Sequence, residues 1–152
     1  MPSNDAIAVL KADHEAVKEL FAKYEELGDR ADKTKEQTAQ KICQELTVHA
    51  AIEEEIFYPR VRRAGREEKD EVLEGVEEHA LIKQLISEIE ALTPDVETFD
   101  AKMKVLKENV EHHLEEEETE MFSHARTSIP EAELTELGER LSAAKRERFA
   151  AL

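Results

Sequence analysis

Six residues of this chain could do chemistry together: His14, His49, Glu53, His79, His113 and Glu117. In two of the histidine segments a glutamate follows four residues later, His49 with Glu53 and His113 with Glu117. That spacing stacks the two side chains on one face of a helix, so that both can reach a single point. Imidazole and carboxylate are ligands for iron, manganese or zinc. The single cysteine, Cys43, excludes a thiolate cluster and an internal disulfide, so any metal must be held by nitrogen and oxygen. Six donors are more than one tetrahedral zinc would use, which points to a two-metal site and, in the sharper reading, to iron.

The elements that must position these donors are helices. Of 152 residues, 38% are charged and only four are glycine and four proline, a composition that favours helix nearly throughout. Ser3 or Asn4 is placed to cap a first helix ending near Leu27 and Gly28; Asp32 or Thr34 opens a second that passes Pro59 and stops before Gly65. A third helix is expected from Glu67 to Leu92, a fourth from Asp95 past Thr93-Pro94 to Thr127, and a fifth beyond Ile129-Pro130. The fold class is therefore all-α: an up-down-up-down four-helix bundle over residues 1–128, with an additional C-terminal amphipathic helix over 129–152 packed on it.

A core rhythm of alternating threes and fours tells inward residues from outward ones. It selects Ile7, Leu10, His14, Val17, Phe21 and Tyr24 on the first helix and Ile42, Leu46, His49, Glu53 and Ile56 on the second. On the third it takes Val72, Val76 and His79, then either Ile82 or Lys83; on the fourth, Val110, His113, Glu117 and Met121. His112 and Glu116 fall off that stripe, so most of the acidic run from Glu115 to Glu118 reads as a solvated flank. One histidine on an apolar face is usually a hydrogen-bonded core residue. Four, one per helix and at similar heights from the turns, converge near the middle of the bundle. Two buried carboxylates without cationic partners would cost several kcal/mol each, and cations offset that cost directly.

Other candidates read as structural. Tyr24 is expected in the core, and Tyr58, nine residues beyond His49, at the bundle end unless Pro59 bends the backbone toward the centre. His124 is about 16 Å along the helix from His113, too far to share its metals. Cys43 lies one position off the seam and is read as filler. The net charge of -16 opposes nucleic acid and anionic membrane surfaces as partners. The N-terminus has no basic and apolar leader pattern and no stretch approaches the ~20 apolar residues of a membrane span, so a soluble cytoplasmic protein is expected.

The segments ADHE at His14, HAAIEEEIFYP from His49, EEHALIK around His79 and HLEEEETEMFS from His113 resemble the hemerythrin-like, or HHE cation-binding, domain family over about residues 5 to 126. No Glu-x-x-His pair of the ferritin-like type occurs, nor a His-Glu-x-x-His protease motif. The resemblance implies two irons, Fe2+ or Fe3+, with an oxo, hydroxo or water bridge, terminal ligands His14, His49, His79 and His113, and bridging Glu53 and Glu117. Hemerythrins proper carry a further histidine where this chain has Lys83, which leaves a ligand position to water, to another side chain or to Lys83, a lysine more readily turned outward. That departure argues against an oxygen carrier. It favours a diiron protein reacting with or binding oxygen, peroxide or nitric oxide, with a reversible iron- or oxygen-binding or sensing module as the alternative. The expected partners are a small diatomic or peroxide ligand, and the expected state is a monomer or weak homodimer.

Overall fold

In a computed structural model, which describes residues 4–28 and 32–152, each helix starts and stops for local reasons. α1 spans Ala6–Glu25 and is capped by Asp5, whose Oδ1 accepts the Ala8 N–H at 2.9 Å. The cap thus falls one residue after the expected Asn4; Ser3 lies outside the described residues. α1 closes on a tightened turn in which the Leu27 N–H donates to the Tyr24 carbonyl, before Gly28 is reached. α3 is Arg66–Glu90 and α5 is Glu131–Ala150. Ile129, extended ahead of Pro130, separates α5 from the helix before it.

The second and fourth helices are not uniform. α2 runs as Asp32–Ile52, a π-helical turn Glu53–Phe57, and Tyr58–Arg62; α4 runs as Thr98–Glu116, a π-helical turn Glu117–Met121, and Phe122–Ser128. α4 begins at Thr98 rather than near Asp95, the intervening residues forming the turn after Pro94. Each π turn begins at a glutamate singled out above. In each, a backbone N–H reaches back five residues: Tyr58 to the Glu53 carbonyl, Phe122 to the Glu117 carbonyl. Pro59 sits where the turn returns to α geometry, at the start of a helical segment where its missing N–H costs little.

α1 packs on α2 and on α5, and α3 on α4, giving the antiparallel bundle with the fifth helix laid against it. The apolar core is divided in two. One compartment holds Ile7, Leu10, Ile52, Phe57 and Phe122 with Leu134, Leu137 and Leu141 of α5; the other holds Val17, Phe21, Ile42, Ile86, Met103 and Leu106. Between them lies the layer of buried histidines and glutamates, all 5% exposed or less. At Gly138, α5 comes so close to the start of α1 that an added Cβ would strike the Asn4 carbonyl and the Asp5 backbone. Among the described residues, no helix is long and apolar enough to cross a membrane.

Candidate metal centre

Leu10, Leu46, Val76 and Val110 precede the four histidines by three or four residues on their helices, and burial of these stripes turns His14, His49, His79 and His113 inward. The six side chains form two groups that share Glu53 and Glu117: His14 and His49 complete one, His79 and His113 the other. Glu117 stands across the gap, with Oε1 3.1 Å from His14 Nε2 and Oε2 3.4 Å from His113 Nε2. Glu53 Oε1 is 3.2 Å from both His49 Nε2 and His79 Nε2. Both carboxylates therefore face both groups.

The outer nitrogens of all four rings are held by carboxylates. His14 Nδ1 is 2.7 Å from Glu118, His49 Nδ1 2.9 Å from Asp13, His79 Nδ1 2.8 Å from Glu54 and His113 Nδ1 2.5 Å from Glu78. An ionised carboxylate can only accept, so each Nδ1 donates its N–H outward, and Nε2 is the ring nitrogen that faces the centre. The sequence neighbours of the ligands supply these acids, each to a histidine on another helix: Asp13 precedes His14 but holds His49, and Glu54 follows Glu53 but holds His79. The pattern repeats with a near two-fold relation. Asp13, His14, His49, Glu53, Glu54 and Tyr58 in the first half correspond to Glu78, His79, His113, Glu117, Glu118 and Phe122 in the second. A repeat at an interval of 64–65 residues was the sequence signal for these outer carboxylates.

Tyr58 is the departure from the sequence reading. Its hydroxyl lies 2.6 Å from Glu117 Oε2, 3.4 Å from His79 Nε2 and 3.5 Å from Glu53 Oε1, in the middle of the second group. In an α-helix a residue five positions after Glu53 points away from it; the π turn closes its hydrogen bond over five residues and brings Tyr58 back over Glu53. Its ring stacks on His79 at 5.3 Å, as Phe122 stacks on His14 at 5.7 Å. Room for the hydroxyl comes from Gly75 of α3, where an added Cβ would stand 2.9 Å from Tyr58 Oη. Lys83 does not enter the centre. Ile82 takes the seam, and Lys83 is turned outward with its ammonium 4.0 Å from Glu54. His112 is exposed beside Glu116, and His124 pairs with Glu71, both away from the six. Cys43 is buried, and burial with nearby Glu90 pushes its thiol up to about 12, which makes it unreactive at neutral pH.

The electrostatics ask for positive charge. Burial alone would raise Glu117, but hydrogen bonds from His113 and His14 outweigh it and hold the carboxyl well below its usual range. Burial likewise disfavours a charged His113, yet Glu117 and Glu78 push the ring up to about 10. Six carboxylates thus surround four imidazoles, and the ammonium groups among the described residues that meet them are Lys145, paired with Asp13, and the exposed Lys83, 4.0 Å from Glu54. Two buried atoms of the set, His49 Nε2 and Glu53 Oε2, have no hydrogen-bond partner among the described residues. Contacts of 3.1–3.4 Å between donor atoms suit ligands sharing an ion with bonds of roughly 2.1 Å. His79 Nε2 and His113 Nε2 lie 3.1 Å apart, close enough to share one ion. The donor set fits a pair of metal ions.

A family model for the hemerythrin HHE cation binding domain matches residues 5–125. The chain belongs to the hemerythrin HHE family. A solved structure of a hemerythrin HHE cation binding domain-containing protein from Mycobacterium kansasii superposes with a TM-score of 0.81 over 97% of this chain and 88% of that one, at 24% identity, and shares the fold. A curated relative from Nostoc sp. (strain PCC 7120 / SAG 25.82 / UTEX 2576), named as a DNA nickase, is 31% identical over 137 residues. That match takes in 90% of this chain but 38% of the relative, so the HHE domain corresponds to a minor part of the longer protein. In this HHE chain the Tyr58 hydroxyl reaches the second group, which Lys83 does not enter.

Proposed function

We propose that this HHE protein holds two irons and reacts with hydrogen peroxide or nitric oxide in preference to carrying dioxygen. In this reading His14 and His49 serve one ion, His79 and His113 the other, and Glu53 and Glu117 bridge them, with Tyr58 an additional oxygen donor to the second. The observation that carries it is the Tyr58 hydroxyl, 2.6 Å from Glu117 and in contact with His79. A phenol donor stabilises the oxidised metal where a histidine would leave it easier to reduce, and so disfavours a reversible dioxygen carrier. When bound, the iron pair supplies the electron steps that peroxide or nitric oxide chemistry requires.

The protein's own groups supply the rest. The four outer carboxylates fix the imidazole orientation. Tyr58 donates a hydrogen bond to Glu117 in the metal-free centre, and would release that proton on becoming a phenolate donor to the metal. Phe57 and Phe122, both 2% exposed or less, keep bulk water from the His14 side. The net charge of -16 keeps nucleic acid outside the proposal.

The test is metal analysis of the purified protein with its visible spectrum, followed by peroxide and nitric oxide consumption in wild type and Tyr58→Phe. Two irons per chain, a phenolate charge-transfer band lost in Tyr58→Phe, and turnover in the wild type are expected. A long-lived, reversible dioxygen complex with no peroxide or nitric oxide turnover would restore the carrier reading.

A further inference from the structure

The two halves of the centre are related by the internal repeat, but they do not meet solvent in the same way. On the first half, Phe122 lies flat on His14, Phe57 meets Phe122 edge to face at 5.8 Å, and Lys145 of α5 neutralises Asp13 behind His49. That half is closed by aromatic rings and a salt bridge. On the second half, a narrow cleft of about 20 Å³, room for one water or one ion, runs between α3 and α4. Its floor is His113 and Glu117, two residues of the centre itself. Its walls carry Glu71, Glu74 and Glu78 from α3 and Glu116 and Glu120 from α4.

No lysine or arginine is among the lining residues, whereas Asp13, the counterpart of Glu78 in the repeat, has Lys145. Glu71 Oε1 is buried in this wall, an acceptor with no hydrogen-bond partner among the described residues. Two of these wall residues, Glu78 and Glu116, and the exposed His112 bring three ligand atoms within 4.8 Å of one another, with His112 Nε2 3.1 Å from Glu116. Glu78 also holds His113 Nδ1 at 2.5 Å, so a cation on these three stands one imidazole ring away from the centre.

We propose that this cleft is the path by which divalent cations enter the centre, and that Glu78, His112 and Glu116 form a transit site at its mouth. The proposal rests on the reading that the centre holds metal, and adds how the metal arrives. Carboxylates converging on a narrow opening raise the local cation concentration and accelerate capture, by tenfold or more in focused fields, an effect that salt suppresses. Imidazole and carboxylate at the mouth exchange water for protein ligands before the ion meets the buried carboxylates, so the ion is never stripped in one step.

The experiment loads chelator-stripped protein with Co2+ in a stopped-flow instrument, following the cobalt absorption, and measures bound cobalt at the end point. Glu74→Gln/Glu116→Gln/Glu120→Gln removes three cleft charges without touching the six central residues. Glu26→Gln/Glu36→Gln/Glu108→Gln removes the same charge from exposed positions elsewhere. At low salt the cleft variant is expected to load about tenfold more slowly than wild type, with the same end point and with the difference shrinking as salt is added. His112→Ala is expected to load slowly and completely, and the control variant to load at close to the wild-type rate. Equal slowing in the two triple variants, or a cleft variant and His112→Ala that both load like wild type, would overturn the path. Wild-type protein that binds no cobalt would instead overturn the metal-centre reading on which the path depends.

Discussion

Gly75→Ala tests whether Tyr58 belongs to the centre for the reason given above. In the interior of α3 an alanine should by itself stabilise the helix by roughly 1 kcal/mol. The new Cβ, however, would lie 2.9 Å from Tyr58 Oη, 3.2 Å from Cζ and 3.3 Å from Cε2. Tyr58 cannot simply swing away: it is 2% exposed, stacked on His79 and fixed by the π turn below it. Overpacking of this kind costs about 1–3 kcal/mol, which cancels or exceeds the helical gain. In a Tyr58→Phe background the nearest contact disappears, so the same Gly75→Ala substitution should become neutral or stabilising. A double-mutant cycle in urea, run with excess chelator so that metal binding does not enter, should therefore show a coupling of about 1 kcal/mol or more. The spectrum of metal-loaded Gly75→Ala should change along with it. A coupling below about 0.5 kcal/mol, with an unaltered spectrum, would mean that Gly75 does not make the room for the hydroxyl.

Other consequences are as direct. His113→Ala should lose bound iron while His112→Ala retains the full complement, as determined by metal analysis at matched loading; equal loss would show that the inward ring had been misassigned. Glu53→Ala and Glu117→Ala should each abolish tight binding, whereas Glu54→Ala and Glu118→Ala, which release only an outer nitrogen of His79 or His14, should weaken it by roughly 10–100-fold in a chelator competition. Chelation should lower the thermal midpoint, since a ligand at a hundred times its Kd stabilises the fold by about 2.7 kcal/mol; an unchanged midpoint after complete metal removal would locate the metal elsewhere. At the far end of the bundle, the Tyr24 hydroxyl donates to Asp100 at 2.6 Å and Lys35 lies 3.1 Å away, and together they depress the Asp100 carboxyl. Because the folded value is the lower one, this carboxylate stabilises the fold above the unfolded pKa of roughly 3.9 and stops doing so as pH falls through the folded value. The gap in urea stability between wild type and Asp100→Asn should therefore close on acidification, and a gap that widened would contradict the assignment.

The sequence by itself determined the helices and the inward histidines. Periodicity is a local property: once Leu10, Val17 and Phe21 must face a core, His14 between them has no other direction to point. The same holds for His113 against His112, and Pro94 and Ile129-Pro130 interrupt the backbone through sterics that act within two residues. What only the tertiary structure decided are relations between helices and changes of register. The π turns at Glu53 and Glu117 alter the helix by one residue, a difference without a propensity of its own, sustained here by packing of Phe57, Tyr58 and Phe122 around the centre. That single residue carries Tyr58 from the bundle end, where α-helical counting puts it, to within 2.6 Å of Glu117. Lys83 was decided the same way, since Ile82 and Lys83 fit the third-helix rhythm equally well until packing buried the first and left the second beside Glu54. The crossed carboxylates complete the contrast: Asp13 lies next to His14 in the chain, but its partner is His49, because a hydrogen bond answers to distance in the folded bundle and not to position along the chain.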